Sequence, residues 1–152
     1  MQKLYILYDA QCPFTLRYRH WLGDQPSFVP LEFIPFQSPE LVAQFEGIAA
    51  YGTKAQLLVI NNDGGVYQGP SASIICLFAL KEYRDWAMRL SAPNLLPLAT
   101  EAFDMLASGG KEIARWLSRL DDTELINVLS YEACRQSNQR QQPERTATPL
   151  KP

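Results

Sequence analysis

Residues 4–15, Leu-Tyr-Ile-Leu-Tyr-Asp-Ala-Gln-Cys-Pro-Phe-Thr, limit what this chain can fold into more than any other stretch. Leu4–Tyr8 is an almost continuous apolar and aromatic run, the pattern of a strand buried on both faces. Asp9, Ala10 and Gln11 interrupt it. Pro13 then suits the first position of a helix, where its missing N–H costs nothing. Phe14, Tyr18, Trp21 and Leu22 recur at helical spacing and make one apolar stripe. Gly23 is the predicted stop. Cys12 therefore stands where a buried strand hands over to a helix.

The rest of the chain supplies partners for that unit. Residues 28–36 read as a second strand with prolines at its margins, which predicts a place near a sheet edge. Residues 39–45 predict a short helix with Leu41, Val42 and Phe45 on one face. Residues 56–60 predict a third strand. The run Asn61, Asn62, Asp63, Gly64, Gly65 is a strong turn signal, and Val66, Tyr67 and Gln68 return as a short antiparallel partner. A helix start follows at Gly69, Pro70 and Ser71, and its apolar segment is predicted to run to about Leu90. Beyond that the chain reads as helical to about Ser137. It is punctuated at Pro93 and Pro97, at Ser108, Gly109 and Gly110, and by a capping signal at Asp121, Asp122 and Thr123.

The predicted fold is α/β: a mixed four-stranded sheet flanked by helices, with a C-terminal helical extension. In outline the order resembles the thioredoxin-like arrangement. Residues 1–135 are expected to form one domain including the extension. Residues 136–152, rich in Gln, Arg, Thr and Pro, are expected to form a disordered tail.

Composition narrows the function classes. The chain has 152 residues, with 14 Lys and Arg against 16 Asp and Glu. That balance predicts no nucleic-acid binding, which needs a basic excess on some face. The first apolar run ends at Asp9, too short for a signal peptide. Residues 74–80 are far too few to span a bilayer, which takes about 20 apolar residues. No membrane insertion is expected. Three widely spaced cysteines, Cys12, Cys76 and Cys134, and a single histidine, His20, support neither a disulfide framework nor a zinc site. The cysteines are expected to stay as thiols in a reducing cytoplasm.

Position makes Cys12 the candidate nucleophile. A helix N-terminus has unsatisfied N–H groups and a partial positive charge, which stabilise a thiolate. Thr15 lies over the same first turn, where its hydroxyl or backbone N–H is a candidate donor to the sulfur. Arg17, Arg19 and His20 add positive potential if they point back toward it. Asp9 orients the turn or modulates the thiol. Cys76, among Ile74, Ile75, Leu77 and Phe78, reads as a core residue, because apolar burial disfavours the thiolate. Cys134 in the last helix reads as structural. The turn at 61–65 lacks the pattern of a phosphate cradle.

Residues 7–15 resemble the opening of the DCC family of predicted thiol-disulfide oxidoreductases. That family is named for an Asp followed by a Cys-x-x-Cys pair, usually after Tyr-Asp-Gly. Residues 58–69 (LVINNDGGVYQG), then Ser71 and Ala72, residues 94–97 (NLLP) and residues 112–115 (EIAR) agree in character and order. The resemblance covers about Lys3 to Trp116. It implies a thioredoxin-like fold and puts Asp9 and Cys12 on the first two motif positions. Thr15 stands where the second cysteine belongs, and Ala10 replaces the usual glycine. Lys54, Ala55 and Gln56 occupy the stretch where many thioredoxin-like proteins carry a proline beside the active cysteine.

A dithiol works because its second thiol attacks the mixed disulfide made by the first. With Thr15 at that place, the resemblance implies a monothiol cycle. Cys12 is the nucleophile, with Thr15 and Asp9 around it. No bound cofactor is expected, and the partner is a protein thiol or a small thiol, with glutathione as co-substrate. The alternative is a redox-inactive binding or assembly module that uses an aromatic groove around the former site. A weaker third reading is a transferase joining a bound thiol to an electrophile.

Overall fold

The computed structural model describes residues 1–51 and 57–141. The apolar run at the start becomes β1 (Leu4–Tyr8), and a strand of only aliphatic and aromatic residues belongs inside a sheet. The sheet has four strands in the order β2-β1-β3-β4, with β2 at Leu31–Pro35, β3 at Leu58–Asn61 and β4 at Val66–Gln68. β1 pairs parallel to β2, Leu4 opposite Leu31, through the crossover helix α1 (Pro13–Asp24). It pairs antiparallel to β3, Leu7 opposite Leu58. β3 and β4 are antiparallel and joined by the 61–65 turn. Asn61 organises that turn, its Oδ1 accepting from the Asp63 N–H at 3.0 Å and the Gly65 N–H at 2.7 Å.

The pleat divides the core in two. Leu4, Ile6 and Tyr8 point to the larger cluster, with Tyr18 and Leu22 of α1, Val59 of β3 and residues of α3 to α6. These helices are α3 (Pro70–Ala79), α4 (Arg84–Leu90), α5 (Ala99–Ser118) and α6 (Asp122–Gln141). Leu7, Leu58 and Ile60 point to the other face, against Leu41 of α2 (Glu40–Gln44) and Ile48 of the 3-10 turn Ile48–Tyr51. Alternation along β1 thus feeds helices on both faces. The result is a thioredoxin-like α/β fold with a C-terminal helical extension.

These strand directions bring the C-terminal ends of β1, β2 and β4 to one end of the sheet. Cys12 follows β1 at that end.

Several boundaries differ from those expected. β2 begins at Leu31 rather than at 28. Ser27 instead bridges Leu80, and the Phe28 N–H donates to the Ala79 carbonyl at 2.8 Å, while Pro30 has no N–H to offer a ladder. The same contact ends α3. Leu80 turns extended, the Lys81 N–H donates to the Pro26 carbonyl at 2.9 Å, and α4 starts anew at Arg84, so one predicted segment to Leu90 is two helices. α1 passes Gly23 and ends at Asp24.

Ser108, Gly109 and Gly110 punctuate the helical region as expected, by a break inside α5. They kink α5, where Gly110 takes φ 68°, ψ −160°, a conformation that glycine adopts without a Cβ penalty. Asp121 and Glu124 make a reciprocal cap on α6: the Glu124 N–H donates to Asp121 Oδ1 at 2.7 Å and the Asp121 N–H to Glu124 Oε2 at 3.1 Å. α6 runs to Gln141, so residues 136–141 of the expected tail are helical instead, and from 142 onward that tail lies outside the described residues.

Candidate functional site

Cys12 is the N-cap of α1, with extended backbone (φ −98°, ψ 117°) and a half-buried side chain that makes no capping hydrogen bond. The first helical bond closes on its own carbonyl, which accepts from the Leu16 N–H at 3.1 Å. Pro13 removes one orphan donor of the helix start. The amides of Phe14 and Thr15 remain as the donors that an N-cap side chain faces. The first turn holds no acidic residue, so no carboxylate on it opposes an anion at the sulfur.

The segment before Cys12 is a tightly held turn. The Cys12 N–H donates to the Asp9 carbonyl at 3.1 Å. The Asp9 carboxylate accepts from the Gln11 N–H at 2.9 Å, an Asx turn. Thr15, fully buried, donates its hydroxyl to the same Asp9 carbonyl at 2.7 Å, with the Cys12 carbonyl 3.3 Å away. Its hydroxyl thus closes the turn from the helix side.

Gln37 closes the turn from the opposite side. Its Nε2 donates to Asp9 Oδ1 at 2.7 Å, and its Oε1 accepts from the Ala10 N–H at 3.1 Å. Gln37 follows β2, and the parallel pairing of β1 with β2 delivers it there: the ladder runs on past Pro35, the Phe36 N–H donating to the Tyr8 carbonyl at 2.8 Å. Sequence reasoning missed this residue. The available signal was positional, a polar residue just past the strand that pairs parallel to β1.

The cations near Cys12 in sequence are engaged elsewhere. Arg17 Nη2 lies 3.3 Å from Asp104 Oδ1, and Arg19 packs over the rings of Tyr8 and Phe33. His20 is exposed. Asp104 is a second residue that sequence reasoning missed. It is 8% exposed on α5 and accepts from the Tyr18 hydroxyl at 2.6 Å. Its signal was a lone carboxylate inside the run Ala102, Phe103, Asp104, Met105, Leu106.

The other thiols separate clearly. Cys76 is fully buried, and burial pushes its thiol up to about 12. That matches the core role expected of it. Cys134, expected to be structural, is exposed on α6 instead, because α6 has only one side facing the core, through Leu125 and Leu129. The stretch Lys54 to Gln56 lies outside the described residues. Among the described residues, no three His, Cys, Asp or Glu side chains gather as a metal would require, and no helix is long and apolar enough to cross a membrane.

A strand-to-helix corner with a half-buried thiol on a helix start can do nucleophilic sulfur chemistry. A family model described as DCC1-like thiol-disulfide oxidoreductase matches residues 6–116. No curated protein and no solved structure matches the chain.

Proposed function

The chain belongs to the DCC1-like thiol-disulfide oxidoreductase family, and from that premise we propose that it runs thiol–disulfide exchange as a monothiol enzyme in a reducing compartment such as the cytoplasm. The observation that carries the proposal is Cys12 at the N-cap of α1, its sulfur free of any capping bond, on a turn clasped by Thr15 and Gln37. The Cys12 thiolate attacks one sulfur of a disulfide. The old S–S bond breaks, the leaving thiolate takes up a proton, and a mixed disulfide on Cys12 forms. A second thiolate from outside, with glutathione as the candidate, attacks the mixed disulfide and frees Cys12. The attacking thiol leaves joined to the sulfur that Cys12 had held, as a new disulfide, so the outside thiol is oxidised, the released substrate sulfur is reduced and Cys12 returns unchanged. Burial of Cys76 and the Thr at position 15 favour an external resolving thiol over an internal one.

Asp9 and Thr15 act as positioning residues, since their polar groups bond to the turn. One observation favours a second reading, a redox-inactive binding module: the Thr15 hydroxyl is spent on the Asp9 carbonyl. Alkylation kinetics across pH separate the two, with Cys134→Ser as background to silence the exposed thiol and Cys12→Ser as control. The expected result is faster alkylation of Cys12 at neutral pH than in the urea-unfolded chain, and one mixed disulfide at Cys12 on incubation with oxidised glutathione. Equal rates in folded and unfolded chains would rule out the enzyme and leave the binding module.

A further inference from the structure

On the side of α1 that faces α5 and α6, the surface opens into a cleft of about 320 Å³ that Cys12 does not line. That volume is in the range of small-molecule sites. Phe14, Met105 and Ile113 give it an apolar wall, and Arg17 and Glu132 bring charges of opposite sign. The wall follows the kink of α5, and Gly109 leaves room for Ile113: a Cβ at Gly109 would stand 2.1 Å from its Cγ1.

Arg17 is fixed from behind. Buried Asp104 holds it through one Nη2 contact at 3.3 Å and is itself held by the Tyr18 hydroxyl, and the guanidinium lies 5.4 Å from the centre of the Phe14 ring. The Arg17 side chain is 43% exposed against 11% for Asp104, so the cation is presented outward from a rigid base. On the α6 side, the Glu132 carboxylate and Arg135 form only a long 3.9 Å pair, the kind worth little in water. Charges in the lining balance, Arg17 and Arg135 against Asp104 and Glu132. A simple anion or a simple cation therefore gains little net attraction. A small molecule that carries one charge of each sign on an apolar body can satisfy both. Glu132 and Arg135 lie beyond residue 116, where the family match ends.

We infer that this cleft binds a short apolar zwitterion, of the class of apolar amino acids and dipeptides. Its carboxylate meets Arg17, its ammonium meets Glu132, and its side chains lie on Phe14, Met105 and Ile113. This site is independent of the chemistry at Cys12.

Isothermal titration of the full chain with leucyl-leucine tests the assignment, beside its N-acetyl form, which lacks the ammonium, and its amide, which lacks the carboxylate. The expected result is saturable binding of leucyl-leucine, weakened about tenfold by either cap, the equivalent of one lost charged contact. Glu132→Gln should erase the difference between leucyl-leucine and its N-acetyl form, and Arg17→Gln the difference from the amide. Glu132 is on the outer helix, and circular dichroism checks that the variant folds. Absence of saturable binding at millimolar dipeptide overturns the inference. So does equal binding of all three ligands, or a cap penalty that both folded variants leave unchanged.

Discussion

The hydroxyl of Thr15 donates to the backbone carbonyl of Asp9 at 2.7 Å, six residues back in the chain and across the turn that presents Cys12. Thr15 is thus part of the architecture that presents Cys12. Its hydroxyl and the Cys12 N–H share one acceptor, so the turn is tied to both the cap and the first helical turn.

Thr15→Val keeps the buried shape and removes that donor. Unfolding in urea should show a loss of about 1 kcal/mol, the net worth of one hydrogen bond. Thr15→Cys should lose a similar amount yet gain chemistry. Oxidation of that variant with diamide should remove two thiols per chain, as Cys12 and the introduced thiol join in a disulfide, where the parent loses none internally.

Gln37→Ala should leave the midpoint of thermal unfolding nearly unchanged, because both of its bonds are near the surface. The Ala10 and Gln11 amides should exchange hydrogen faster, and Cys12 alkylation should slow at neutral pH. Gln37→Glu should be worse than Ala, since a second carboxylate then faces Asp9. Amide exchange read by NMR checks the order.

Cys76 sets a pH limit. Its thiol is pushed up to about 12 by burial from an ordinary value of 9.0, so the folded state binds this proton more tightly than the unfolded state. The stabilisation is complete below the ordinary thiol range and is lost as pH rises toward 12. Stability should therefore fall through that window, and Cys76→Ala should flatten the fall at a cost of about 1 kcal/mol at neutral pH. Alkylation of Cys76 at neutral pH should occur only after unfolding. Denaturation at pH 7, 9 and 10.5 measures the slope.

Asp104→Ala removes a buried acceptor from the Tyr18 hydroxyl and the Arg17 guanidinium. Leaving those donors unmet should cost about 2 kcal/mol. Asp104→Asn, which keeps an acceptor oxygen, should cost less. The comparison in urea distinguishes the loss of acceptance from the loss of charge.

Gly110→Ala forces a Cβ onto a positive-φ, extended backbone at the α5 kink, a region essentially reserved for glycine, where an L residue is penalised by about 1–3 kcal/mol. Chemical denaturation should show that loss, while alkylation of Cys12 at neutral pH stays the same.

Local pattern determined much of this protein. The unbroken apolar run of Leu4–Tyr8 demanded a central strand, Pro13 demanded a helix start, and the two together put Cys12 on an N-cap. The Asn61–Gly65 turn set an antiparallel pair, and β2 took an edge as its flanking prolines required. Each of these follows from periodicity or backbone chemistry within about ten residues of chain.

Tertiary structure decided what depends on distant segments meeting. The break between α3 and α4 comes from Ser27 bridging Leu80, a contact that helical periodicity cannot register. Gln37 reaches Asp9 because parallel strands share an end, and Asp104 meets Arg17 and Tyr18 because α5 packs on α1. At Cys12, the sequence by itself determined the cap position. What surrounds that cap depended on the tertiary structure, because hydrogen bonds between side chains far apart in the chain exist only after the strands and helices have packed.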